Sequence, residues 1–127
     1  MQPIQPPEMA VPKGHYTPGY VANGFVFVSG QLPFDPATGV IVGTTAEEQT
    51  ERTLRNVELI LHAAGSSLDR VVQMTIYIPD GELWGAINTV YARIMGSHRP
   101  SRAIVPVWPL HYGALVEIQA IALAGSS

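Results

Sequence analysis

Arg102 and Glu117 are the residues whose chemical character differs most from that of their neighbours. Beyond Arg102, Glu117 is the only Asp, Glu, Lys or Arg in the chain. The stretches around them, 103–108 and 114–123, are apolar and typical of β-strands. A charge buried in such a stretch costs several kcal/mol unless it is paired, hydrogen-bonded or hydrated at a cleft. The pattern predicts either a ligand site or a structural ion pair between neighbouring strands.

The two side chains are suited to different parts of one reaction on a small carboxylate. The guanidinium of Arg102 presents a rigid fork of N–H donors that binds a planar carboxylate through two hydrogen bonds, which a lysine cannot reproduce. The carboxyl group of Glu117 can orient a water molecule and move protons. We expect burial to raise the pKa of Glu117 and a neighbouring Arg102 to oppose that shift.

Composition argues against several other function classes. The net charge is −3, and the seven Lys and Arg residues are scattered, which argues against a nucleic-acid-binding surface. Without cysteine there is no disulfide framework, thiolate zinc site or cysteine nucleophile. The four histidines lack the i, i+4 spacing of a helical metal site, so we expect no metal. No apolar run approaches the roughly 18 residues of a membrane span, and no signal-peptide pattern is present, which predicts a soluble, cytoplasmic protein.

The elements that must position the two charges follow from the spacing of apolar residues. Five of the eleven prolines precede residue 19, so residues 1–12 are predicted to be an extended or poorly ordered arm, and 13–127 a single domain. Phe25–Val28 is typical of a buried strand and precedes a turn-rich segment. A capping-box pattern at Thr45–Glu48 predicts the start of a helix that ends near Gly65.

A second strand and a second helix follow. Alternation over residues 71–78 predicts a strand with one face made of Val72, Met74, Ile76 and Ile78. An apolar stripe from Leu83 to Ile94, which includes Trp84 and Tyr91, predicts a helix that packs this stripe in the core and ends at Gly96. Asn88 lies at the edge of this stripe, either as an ordinary boundary residue or as part of a cleft.

The last strand predicts self-association. Val116, Ile118, Ala120 and Ala122 lie on one face of this strand, and the residues between them lie on the other. Both faces are mostly apolar. Two helices can cover one face of a four- to six-stranded sheet but not both, so the second face should be buried against another subunit. A subunit interface is also a place where an embedded Arg and Glu can meet a small ligand.

Eight segments give the sequence a family resemblance. Their order and spacing between Pro12 and Leu123 resemble those of the reactive intermediate deaminase family, also called the YjgF or Rid family. The segments are GHYT (14–17), FVSGQLP (27–33), DPATG (35–39), EQT (48–50), AAGSSLD (63–69), NTVY (88–91), PSR (100–102) and VEIQAIA (116–122).

The resemblance implies a fold, an assembly and an activity. It implies a chorismate-mutase-like α+β domain with a mixed sheet and two helices on one face, assembled as a homotrimer around a central barrel. Three ligand clefts would lie between subunits. Family members hydrolyse enamines and imines of the 2-aminoacrylate or 2-iminobutanoate type to 2-oxoacids and ammonia, without a cofactor.

The resemblance also assigns roles to individual residues. Arg102 would bind the substrate carboxylate, and Glu117 would orient the water and act in catalysis. The hydroxyl groups of Tyr16 and Ser29 and the amide of Asn88 would hold substrate or water. Backbone groups near Ile104 would complete the contacts to the substrate.

Departures from the best-known branch of the family leave the substrate open. Ala103 and Ile104 replace the Ser and Cys that follow the arginine there, and Trp108 and His111 also differ. Trp108 and His111 either shape an unusual pocket or pack at the subunit interface, and packing is favoured for Trp108. The alternatives to a general imine deaminase are a deaminase of a pathway-specific enamine, such as an aminomuconate, and a non-catalytic module that binds small carboxylates.

Overall fold

The computed structural model describes residues 1–125, which form one six-stranded sheet and two α-helices. The elements are β1 (Gln2–Ile4), β2 (Gly19–Ala22), β3 (Phe25–Gln31), α1 (Ala46–Ala63), β4 (Val71–Ile78), α2 (Trp84–Met95), β5 (Ser101–Pro106) and β6 (Glu117–Leu123). The strand order is β1-β2-β3-β6-β4-β5, with β4 and β5 parallel and all other neighbours antiparallel. This mixed sheet with two helices confirms the predicted α+β class.

The N-terminal segment is packed, and the prediction of an unpacked arm is wrong. Gln2–Ile4 pairs with β2 in antiparallel register, and Ile4 and Met9 are buried in the core. Proline is tolerated here because β1 is an edge strand, where a missing backbone N–H leaves no neighbour unpaired. The high proline content therefore marks an edge strand and its turn rather than a free arm.

Helix α1 begins and ends where the sequence predicts. The Thr45 hydroxyl accepts a hydrogen bond from Glu48 N–H, and the Glu48 carboxylate accepts one from Thr45 N–H, both at 3.1 Å. The chain leaves the helix at Gly65, whose φ of +73° favours glycine. The helix packs its buried face against β3 and β6 and its side against α2, so both helices cover the same face of the sheet.

Two details of β4 and α2 differ from the predicted pattern. Met74, Ile76 and Ile78 are fully buried, but Val72 is 43% exposed and Val71 faces the core instead. The cause is a break in the β4–β6 register between Val71 and Gln73, which shifts the alternation. Trp84, predicted to be a core residue, is 46% exposed at the start of α2.

The face of the sheet that the helices leave uncovered carries exposed apolar side chains. On β6, Ile118, Ala120 and Ala122 share one face, as predicted, and this face points into the core, while the residues between them lie on the other face. Large side chains on the uncovered face include Tyr20, Phe25, Phe27, Val105 and Leu123, all more than a third exposed. Within residues 1–125, no helix is long and apolar enough to cross a membrane.

Candidate functional site

Arg102 lies on the edge strand β5 and is held by three side chains of α2. One terminal nitrogen donates a hydrogen bond of 2.8 Å to Asn88 Oδ1. The guanidinium carbon lies 4.8 Å from the centre of the Tyr91 ring and 5.7 Å from that of Trp84, both within the range of cation–π attraction. These contacts fix the plane of the guanidinium without neutralising its charge.

A cavity of about 530 Å³ opens beside this arginine. It is lined by α2 and by the segment that leads into β5, and Asn88, Arg99 and Arg102 contribute its polar groups together with His98. The Tyr91 hydroxyl is buried, and this burial raises its pKa, although the charge of Arg102 opposes the shift. We name this region the arginine half-site.

Glu117 begins β6 on the uncovered face and lies over the backbone of Gly30. The β3–β6 register is interrupted between Val28 and Gln31, which places Ser29 and Gly30 outside the regular ladder. A Cβ atom built on Gly30 would collide with Glu117 Oε2 and lie 3.1 Å from Glu117 Cδ. The carboxyl group therefore occupies space that only a glycine leaves free.

Burial and a nearby histidine act on the pKa of the Glu117 carboxyl group in opposite directions. Burial raises the pKa of the Glu117 carboxyl group, and His111 opposes the shift. Within one chain Arg102 is not among the groups that act on Glu117, so the expectation that its charge opposes the shift stays a prediction for contact between two copies. The pKa of Tyr16 is raised by burial and then by the negative charge of Glu117, which places the Tyr16 hydroxyl in the same electrostatic neighbourhood.

Ser29 joins the Tyr16 segment to the bulge below Glu117. Its hydroxyl donates a hydrogen bond of 2.6 Å to the Thr17 carbonyl, and its backbone N–H donates one of 2.9 Å to the Pro18 carbonyl. The Ser29 hydroxyl proton is thus already used, which leaves the oxygen as an acceptor for a ligand. Glu117, Tyr16, Ser29 and Gly30 form what we name the carboxyl half-site.

Ile104 belongs to neither half-site through its side chain. It pairs with Ile76 on β4, and its side chain packs against the core. Because β5 is an edge strand, its outer backbone groups have no strand neighbour. Contact between a ligand and the backbone near Ile104 stays a prediction.

The two half-sites face opposite sides of the sheet. On β4, Met74 is the register partner of Arg102 and Tyr77 is that of Glu117. Residues an odd number of positions apart on a strand point to opposite faces. Strand β4 also separates β5 from β6, so the alternative of an ion pair between Arg102 and Glu117 on neighbouring strands is wrong. Within one chain the structure joins Arg102 to Asn88 and Glu117 to Tyr16, but not the two pairs to each other.

Several residues of the half-sites escaped the sequence-based prediction. Trp84 was assigned to the core because aromatic residues at helical spacing are usually core residues, yet it is 46% exposed. Tyr91 is buried as expected, and both rings also flank Arg102. Gly30 was not singled out, although a glycine at the end of a strand indicates a bulge or a close approach. Trp108 is 89% exposed in the single chain, so its packing at a subunit interface stays a prediction.

The fold is that of a small α+β domain with two candidate ligand-binding half-sites, and comparison with known proteins identifies its family. Residues 7–124 match the model of the family described as Endoribonuclease L-PSP. The chain belongs to this family, which is the Rid/YjgF family that the sequence resembles.

Relatives match over nearly the whole length of the chain. A RutC family protein of Pyrococcus horikoshii is 41% identical over 111 residues, which cover 87% of this chain and 88% of that protein. The crystal structure of RidA from an Antarctic Psychrobacter species is 32% identical with a TM-score of 0.91, covering 97% of this chain and 99% of that one. The crystal structure of E. coli TdcF with bound serine is 33% identical with a TM-score of 0.90, covering 97% and 98%.

These relatives support a role in small-molecule imine or enamine chemistry at the level of the family. Their names are mixed, since the family description refers to an endoribonuclease and the name of a Vibrio vulnificus relative refers to inhibition of translation initiation. The reaction of this chain must therefore be argued from its own half-sites.

Proposed function

We propose that the protein hydrolyses reactive enamines and imines of the 2-aminoacrylate or 2-iminobutanoate type to 2-oxoacids and ammonia. The observation that carries this proposal is the setting of Arg102. Among residues 1–125 it forms no ion pair with a carboxylate, yet its plane is fixed beside a cavity. A guanidinium held in this way is prepared for a planar carboxylate, the group that every 2-imino acid carries.

Binding at Arg102 would orient the reacting carbon. Asn88 occupies one N–H group of the fork, and the remaining N–H groups stay available for two parallel hydrogen bonds to the substrate. The Tyr91 and Trp84 rings restrict the rotation of the guanidinium, which reduces the entropy lost when the substrate is bound. A bound imine would thus present its C=N bond at a fixed distance and angle from Arg102.

The Glu117 carboxyl group supplies proton transfer. A water molecule attacks the imine carbon, the C=N π electrons move to nitrogen, and nitrogen takes up a proton. The resulting carbinolamine then gives up its hydroxyl proton, its amino nitrogen takes up a proton through the carboxyl group, and the C–N bond breaks to release ammonia. A carboxyl group whose pKa is raised by burial exchanges protons more readily near neutral pH than an exposed glutamate does.

A complete site requires two copies of the chain. Arg102 and Glu117 face opposite sides of one sheet, so the arginine half-site of one copy must meet the carboxyl half-site of another. The apolar side chains exposed on the uncovered face supply a surface for such contact, and each large one contributes about 1.5–3 kcal/mol when fully buried. We propose a homotrimer with three such sites, as the family resemblance implies.

The cavity volume favours a second candidate within the same reaction class. A cavity of about 530 Å³ lies in the range that holds drug-sized ligands and exceeds what a four-carbon imino acid fills. Arg99 also lines it, so a larger enamine with a second anionic group, such as an aminomuconate, is the alternative substrate. RNA cleavage is disfavoured because the net charge is −3 and the basic residues are scattered.

The decisive experiment measures ammonia and 2-oxoacid release from freshly generated 2-iminobutanoate and from a larger enamine. Wild-type protein should accelerate hydrolysis above the spontaneous rate in water, and Arg102→Ala should not. Arg55→Ala is the matched control, because Arg55 pairs with Glu58 on the surface of α1 and lines neither cavity. Binding of 2-oxobutanoate without any acceleration of imine hydrolysis would instead identify a non-catalytic carboxylate-binding module.

A further inference from the structure

A second cavity, of about 300 Å³, lies next to the carboxyl half-site. Its walls come from the N-terminal segment around Lys13 and Tyr16, from the loop over 32–39, and from the turn His111–Gly113 that precedes β6. Five side chains with titratable or hydroxyl groups therefore line one opening: Lys13, Tyr16, Thr38, His111 and Tyr112.

Backbone geometry connects this cavity to Glu117. Tyr16 lines the cavity, and the residues that follow it are hydrogen-bonded to Ser29. Gly30, the next residue, lies directly below the Glu117 carboxyl group. The carboxyl group is thus linked to the cavity wall through this hydrogen-bonded backbone, and His111 in that wall is near enough for its charge to act on the pKa of Glu117.

The turn that carries His111 has an unusual backbone conformation. Tyr112 has a φ of +58°, a left-handed conformation that is costly for any residue except glycine. Its ring stands edge-to-face against the His111 imidazole, with 4.1 Å between ring centres. Strain retained in a short turn that orients a titratable side chain is a frequent property of functional sites.

We propose that His111 is a second catalytic residue, which gives a proton to the imine nitrogen while Glu117 accepts a proton from the attacking water. The C–O bond forms as water attacks, the C=N π electron pair moves to nitrogen, and the imidazolium proton neutralises it. In the second half of the reaction the carbinolamine hydroxyl gives its proton to the His111 imidazole, and Glu117 protonates the departing nitrogen. The net reaction converts the imine and water into a 2-oxoacid and ammonia, and both residues return to their initial protonation states. This role rests on the proposed function.

Two groups divide the proton transfers better than one. Attack by water requires a base, and uptake by nitrogen requires an acid at the same moment, which a single carboxyl group performs only in succession. Glu117 supplies the carboxylate that can act as the base while His111 acts as the acid. The other titratable groups at the opening are Tyr16, Tyr112 and Lys13.

The first test compares His111→Gln with His62→Gln. His62 is the matched control because it lies on the surface of α1 beside Glu58 and lines neither cavity. We expect His111→Gln to lower kcat/KM by about 100-fold, the lower end of general acid–base contributions, and to bind 2-oxobutanoate as wild type does. The alkaline decline of the wild-type pH–rate profile, caused by loss of the imidazolium, should disappear in His111→Gln and persist in His62→Gln.

The second test does not depend on activity. Titration of the Glu117 carboxyl carbon, followed by ¹³C NMR, should show a higher pKa in His111→Gln than in wild type, because a neighbouring positive charge is removed. His111→Asn repeats both measurements if His111→Gln does not fold. Normal turnover in a folded His111 variant, or an unchanged Glu117 titration, overturns the role of His111 alone. Absence of imine hydrolysis by the wild-type protein overturns the proposed function itself, and with it the catalytic role.

Discussion

Replacement of Gly30 by alanine tests the placement of Glu117 without touching either proposed catalytic group. The added methyl group would collide with Glu117 Oε2, which is the end of a flexible side chain, whereas no backbone atom is among its closest neighbours. The carboxyl group should therefore rotate away, while β3 stays in place. Gly30 is not among the glycines with positive φ, so alanine can adopt its backbone conformation.

Gly30→Ala should have a large effect on activity and a small effect on stability. Displacement of a catalytic group by about 1 Å can cost on the order of 100-fold in rate, so we expect a loss of this size in kcat/KM. The free energy of unfolding should be unchanged or higher by about 0.4–1 kcal/mol, because alanine lowers the entropy of the unfolded chain. Urea denaturation and the imine hydrolysis assay measure the two quantities on the same sample.

Gly81→Ala is the control for this experiment. A Cβ atom at Gly81 has no neighbour within 4 Å, so the substitution should alter neither rate nor ligand binding. Full activity of a folded Gly30→Ala protein would refute the reasoning, because the carboxyl group would then work from a position that the wild-type structure does not show. A large loss of stability would refute the claim that only a side chain must yield.

Four further predictions concern the charged residues and the assembly. Arg102→Lys should fold normally and lose most of kcat/KM, because the charge remains but the fork is lost; Arg55→Lys should keep wild-type turnover. Glu117→Gln should bind 2-oxobutanoate about as well as wild type and lose the catalysed part of the hydrolysis. Since burial raises the folded-state pKa of Glu117, ionisation destabilises the folded chain as the pH rises above the ordinary glutamate range, so Glu117→Gln should increase the denaturation midpoint at pH 7 and not at pH 3. Light scattering of the micromolar protein should show no appreciable monomer, whereas Phe27→Asp on the uncovered face should produce one; a folded wild-type monomer would contradict the two-copy site.

The sequence predicts those parts of the fold that depend on short-range patterns. The Thr45 capping box, the turn at Gly65 and the alternation of β6 are local properties, and each is found where predicted. The N-terminal strand was missed because its pairing with β2 is non-local and because proline normally opposes strands. The exposure of Val72 was missed since a register break has no local signal there.

The candidate site was predicted by residue type but not by arrangement. Isolation of Arg102 and Glu117 in apolar sequence identifies both residues, but it contains no information on which strands are neighbours. Insertion of β4 between β5 and β6 separates them within the chain, where the charge that opposes the rise in the pKa of Glu117 comes from His111. Sheet topology is decided by the whole chain, so a periodicity argument on one strand cannot supply it.

The opposite orientation of Arg102 and Glu117 has a genetic consequence. In an assembly where each site takes one residue from each of two chains, a chain that lacks Arg102 still lends an intact carboxyl half-site to its neighbour. A chain that lacks Glu117 likewise lends an intact arginine half-site. Two inactive alleles expressed together would then complement each other through mixed oligomers, which is impossible for a site contained within one chain.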